Sequence, residues 1–131
     1  MADASALVEY LLSPVTVEAI AATIEAPETD LHVPALCDVE VAAALRRAVL
    51  SRLLPVDRAE GALRDYLDLP LTRHGHEAIL GRVLDLRHNF STYDATYAAL
   101  AEGLGAALLT ADTGLARAVE DRLGLTTLPR L

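Results

Sequence analysis

Asp3, Glu40, Asp94 and Asp112 stand in four well-separated segments, each beside a run that reads as a strand end or a helix start. Carboxylates held about 4 Å apart repel by about 4 kcal/mol at an effective dielectric near 20, so a cluster of them takes up a proton or a cation. The chemistry open to such a cluster is that of a hard divalent ion. Oxygen donors without a cysteine or histidine set favour Mg²⁺, with Mn²⁺ as the second choice, over zinc, and water beside such an ion is a ready nucleophile. Each acid also has a plainer role: Glu40 and Asp94 suit first-turn acids facing a helix dipole, and Asp3 and Asp112 suit caps. Convergence separates the two readings, because all four are expected at one end of one sheet.

The elements that must bring them there follow from periodicity. Helices are expected over residues 6–12, 14–24, 36–54, 75–87, 92–102 and 114–121, with a further one opening at Asp57 as N-cap. The stripe Val41, Ala44, Leu45, Ala48 and Val49 faces inward in the third, and Ala59, Ala62, Leu63, Tyr66 and Leu67 share one face of the fourth. Residues 31–33, 69–72 and 126–128 read as strands. Residues 106–110 are an uninterrupted apolar run, as in a strand buried on both faces of a parallel sheet. Strands alternating with helices predict an α/β domain with a central, mainly parallel sheet whose carboxyl edge carries the chemistry. No repeat, linker or low-complexity tract interrupts the 131 residues, which are expected to form one domain.

Composition narrows the function. A formal charge of −8 argues against holding nucleic acid by broad phosphate neutralisation, so any such contact must be local. All eleven basic residues are arginines. Arg46 and Arg47 lead the candidates for gripping a phosphate backbone, ahead of Arg73, Arg82 and Arg87, although exposed helix arginines more often make weak surface pairs. His74 and His76 flank Gly75 and read as capping or solvent-facing residues, Tyr93 and Tyr97 as packing residues, and Cys37 as a small buried side chain. The absence of a membrane-length apolar run and of a secretory pattern at the amino end places the chain in the cytoplasm.

The segments Asp3-Ala4-Ser5-Ala6, Tyr93-Asp94-Ala95-Thr96-Tyr97-Ala98-Ala99-Leu100-Ala101 and Leu109-Thr110-Ala111-Asp112, with Glu40 between them, resemble the PIN-domain nucleases over nearly the whole chain. Within that group they are similar to the VapC-type toxins of bacterial toxin–antitoxin pairs. The resemblance implies a three-layer α/β/α PIN-like domain and a Mg²⁺- or Mn²⁺-dependent endoribonuclease that cuts tRNA or ribosomal RNA and arrests translation. It makes Asp3 and Asp94 direct ligands, gives Glu40 and Asp112 the ion's waters or a second ion, and has Ser5 and Thr110 support the site. It further implies a homodimer and a cognate VapB-like antitoxin whose carboxyl-terminal segment covers the cleft. One departure stands out: only Met1 and Ala2 precede Asp3, where such proteins have a strand of several apolar residues. A curtailed first strand, or a start chosen downstream of the native one, is expected.

Two other classes compete. A catalytically silent PIN-like module would use the acidic cleft to capture a basic protein partner, which the net charge also suits. A phosphoryl-accepting α/β domain needs a lysine across the pocket, and the chain has none.

Overall fold

In the computed structural model, which describes residues 1–13 and 18–129, helices and short strands alternate. The first half runs α1 (Ala4–Leu12), α2 (Glu18–Glu25), β1 (Leu31–Pro34), α3 (Leu36–Leu50) and α4 (Val56–Asp68). The second runs β2 (Leu71–His74), a 3₁₀ turn (Glu77–Ile79), α5 (Leu80–Asp85), α6 (Thr92–Leu104), β3 (Leu108–Leu109), α7 (Thr113–Leu123) and β4 (Thr127–Leu128).

β1 pairs in parallel with β2, and β3 in parallel with β4. Residues 1–3 join the two ladders. Ala2 bridges Leu109 in parallel, the Asp3 amide donates to the Leu109 carbonyl, and the Ala2 amide donates to the His32 carbonyl on the other side. The order across the sheet is therefore β2, β1, residues 1–3, β3, β4. Parallel neighbours require crossovers, and the helices supply them. Leu108 and Leu109 point to opposite faces yet both are buried, so the sheet is covered on each side. α6 packs against β1 and β3, α3 against β1, and α7 against β4, in the expected three-layer α/β/α arrangement. Among the described residues no helix is long and apolar enough to cross a membrane.

Several boundaries differ from expectation for local reasons. α1 begins at Ala4 because Asp3 itself caps it. The expected start of the second helix at Pro14 lies outside the described residues. α3 stops at Leu50, four residues early, where the Ser51 hydroxyl and amide both return to the Arg47 carbonyl and Arg52 turns at φ 60°. Pro55 caps α4, leaving Asp57 in its first turn, and Leu63 (37% exposed) and Leu67 (60%) stay at the surface while Ala59, Ala62 and Tyr66 are buried. The helix expected over residues 75–87 shrinks to the 3₁₀ turn and α5. β2 is shifted two residues later than expected, and β3 keeps only two of the five residues of its apolar run. α6 runs through Gly103 to a left-handed Gly105 at φ 62°, a conformation glycine adopts at little cost.

Candidate active site

Asp3 arrives at the carboxyl end of the Ala2 bridge, where the chain leaves the sheet and turns into α1. Its Oδ1 accepts from the Ala6 amide at 2.9 Å and from the Ser5 hydroxyl at 2.7 Å, and its Oδ2 accepts from the Thr110 hydroxyl. The Thr110 oxygen in turn accepts from the Asp112 amide at 3.0 Å, and the Ser5 oxygen accepts from the Ala111 amide at 3.0 Å. Asp112 caps α7 through Oδ1 and the Leu115 amide. Two small hydroxyls thus tie the first acidic segment to the last across 105 residues of sequence.

Asp94 lies in the first turn of α6, whose cap is Ser91, with the Asp94 amide donating to the Ser91 hydroxyl at 3.1 Å. Glu40 projects from the second turn of α3, entered directly from β1. Asp3, Glu40, Asp94 and Asp112 line one cleft of about 550 Å³, together with Ser5. Four elements that the sequence separates therefore meet at one edge of the sheet.

Two protonation equilibria record that crowding. Burial, at 4% exposure, raises the pKa of Asp3 despite its three donors, and the charge of Asp112 adds to the rise. Asp94 is raised by partial burial, then by the charges of Asp112 and Glu40, with the Ser91 hydrogen bond opposing. The carboxylates thus repel one another through space and favour a positive occupant. Their donor set, oxygen throughout, fits a hard divalent cation. Among the described residues no three His, Cys, Asp or Glu side chains are drawn together into a ready cation cage. The arrangement is an open cleft, which suits an ion that keeps several of its waters.

The basic candidates separate. Arg47 lines the acidic cleft, whereas Arg46 lines an apolar groove between α3 and α4. Arg73 is committed to Asp38, with Nε 2.9 Å from Oδ1, and stacks over Tyr66. Arg82 forms a forked pair with Glu102, and Arg87 donates to the Leu84 carbonyl. His76 is a cap after all: its Nε2 accepts from the Leu36 amide at the start of α3, while His74 bonds to His32. Tyr93 is not a core residue, being 60% exposed, but Tyr97 is buried. Cys37 is buried too, which pushes its thiol up to about 11.

Sequence reasoning missed two residues of the cleft. Glu9 lines it from α1, and its i, i+4 spacing from Ser5 puts both on one helix face. Tyr97 lines it one turn after Asp94, and among the described residues its buried hydroxyl has no partner at full hydrogen-bonding geometry, an arrangement that costs about 1–3 kcal/mol.

A family model for the PIN domain matches residues 1–121. Ribonuclease VapC12 of Mycobacterium tuberculosis is 38% identical over 115 residues, covering 88% of each chain. Ribonuclease VapC3 of the same species is 38% identical over 116 residues, 88% of this chain and 84% of that one. The crystal structure of PAE2754 from Pyrobaculum aerophilum superposes with a TM-score of 0.69 over 97% of this chain and 81% of the other, at 22% identity. That likeness concerns the fold, while the sequence matches concern descent. This chain belongs to the PIN-domain family and is a homologue of the mycobacterial VapC ribonucleases.

Proposed function

We propose that the chain is a divalent-metal-dependent endoribonuclease toxin that cuts structured cellular RNA, tRNA or ribosomal RNA, and so arrests translation. The observation that carries this reading is the convergence of Asp3, Glu40, Asp94 and Asp112, from four elements, on one cleft. Relatives named as ribonucleases support it. Asp3 and Asp94 would be direct ligands of Mg²⁺, or of Mn²⁺ in its place, and Glu40 and Asp112 would hold its waters or a second ion. When bound, such a cation supplies Lewis acidity toward the phosphate and a lowered pKa for water at the site.

The chain's own residues position what the cation charges. Five carboxylates and one guanidinium line the cleft, so a phosphodiester is repelled until a cation is held. Ser5 and Thr110 fix both oxygens of Asp3, which leaves the aspartate little freedom to rotate. Arg47, at the cleft, is placed to bind a backbone phosphate through its forked donors. Hydrolysis then breaks the bond from phosphorus to O3′, leaving a 3′-hydroxyl and a 5′-phosphate. The same negative cleft suits a basic segment of a cognate VapB-like antitoxin, which would neutralise the enzyme by covering it. A homodimer in the cytoplasm completes the reading.

Incubating purified protein with total cellular RNA and sequencing the new 5′ ends tests this. Discrete cuts bearing 5′-phosphate, present in Mg²⁺ or Mn²⁺ and absent in EDTA, are expected. An intact RNA pool in all three conditions would favour the silent module that only captures a basic partner.

A further inference from the structure

Among the described residues, the Tyr97 hydroxyl is the one buried side-chain polar atom without a hydrogen-bond partner. Tyr97 stands three residues after Asp94 on α6, and both side chains line the cleft from the same helix face. Its polar neighbours are the Glu40 carboxylate and the Cys37 thiol, one turn apart on α3, both near enough to perturb the phenol although neither reaches full hydrogen-bonding geometry. The ring is 3% exposed, so phenylalanine would fill the same space and the hydroxyl contributes nothing that packing requires. Buried polar groups are as a rule bonded, and an exception at a cleft wall calls for a partner that arrives later.

Among the described residues, Glu40 has no fixed amide or hydroxyl donor of the kind that holds Asp3 and Asp112. Asp3 is held by the Ala6 amide and two hydroxyls, and Asp112 by the Leu115 amide. We propose that Tyr97 is a positioning residue of the acidic cleft, its hydroxyl donating to the Glu40 carboxylate and aiming it once a divalent cation is held there. This rests on the nuclease reading above. A phenol is protonated at neutral pH, so the Tyr97 hydroxyl acts here as a hydrogen-bond donor. A donor on a buried ring fixes one carboxylate oxygen and leaves the other free for the site.

The test is a Mn²⁺ titration of the metal-free protein, followed by calorimetry, for the parent, Tyr97→Phe, Glu40→Gln and the double variant. Tyr97→Phe should keep the parent's circular dichroism and melt no lower than the parent without cation, since an unpartnered buried hydroxyl is removed, yet bind Mn²⁺ roughly tenfold more weakly, as loss of an orienting partner does. In the Glu40→Gln background the same change should have no further effect, which a merely structural role would not produce. Affinity within roughly twofold of the parent, or an equal loss with and without the Glu40 carboxylate, overturns the proposal. A parent that takes up no Mn²⁺ overturns the nuclease reading and this one together. Should Tyr97→Phe not fold, the Cζ carbon resonance of Tyr97 in the parent decides: saturating Mg²⁺ should move it and leave that of Tyr10 in place, and an unmoved Tyr97 signal overturns the proposal.

Discussion

Asp3 and Asp112 do two things with one side chain. Each caps a helix with Oδ1, as a bland reading of the sequence would have it, and each also lines the acidic cleft. Capping fixes where the carboxylate points, so the local role supports the chemical one. Thr110 is the residue on which this depends most, since its hydroxyl donates to Asp3 and accepts from the Asp112 amide. Thr110→Val should cost about 1–3 kcal/mol in urea unfolding, and Ser5→Ala less, because Asp3 Oδ1 keeps the Ala6 amide. Protonation offers a second check. Asp3 and Asp94 have folded pKa values above their ordinary 3.8, so the folded state favours their protonated forms. That contribution to stability is fully present below 3.8 and is lost as pH rises through the raised values. In EDTA, the thermal transition of the parent should therefore carry a destabilising contribution that grows as pH climbs from 3.8 toward neutral, and Asp94→Asn should flatten the dependence and melt higher at pH 7. A variant less stable than the parent at neutral pH without cation would contradict this account of Asp94.

Elements decide which of the polar residues reach the cleft. Arg46 and Arg47 are neighbours in sequence, but a helix advances 100° per residue, so one faces the groove toward α4 and the other the acids. In the Mg²⁺-loaded protein, Arg47→Ala should weaken binding of a single-stranded RNA with non-cleavable linkages and lower its salt slope by about 0.7, whereas Arg46→Ala should change neither. His76 offers a stability test at the same scale: loss of its bond to the Leu36 amide in His76→Ala should cost about 0.5–2 kcal/mol. Much of this layer was legible beforehand. The apolar run at 106–110, the helix stripes and the left-handed Gly105 follow from local rules. What was not legible depends on tertiary partners. The shortness of β3, the exposure of Leu63 and Leu67 and the pairing of Arg73 with Asp38 are each set by a distant segment. The convergence of the acids was legible only because parallel topology puts strand ends and helix starts on one edge. Glu9 and Tyr97 escaped because single residues inside helices carry no local mark of which cleft they line.

For the molecule as a whole, the acidic cleft sets a conflict between folding and function. Burying Asp3 and crowding Asp94 oppose the cation-free fold, and a cation that binds the folded state alone returns stability by mass action. Mg²⁺ or Mn²⁺ at about one hundred times its dissociation constant should add about 2.7 kcal/mol, read as a rise in melting temperature that EDTA reverses. Asp94→Asn should lose most of that rise while folding normally, and an equal rise in both proteins would place the ion elsewhere. The most direct test of the whole account is the single-turnover cleavage rate of an end-labelled RNA, containing a site found in the total pool, across a Mn²⁺ series for the parent and Asp94→Asn. In the parent the rate should saturate with Mn²⁺, and in the variant it should fall at least about a hundredfold at every concentration. Cleavage that persists in Asp94→Asn, or that ignores Mn²⁺ and survives EDTA, would contradict it.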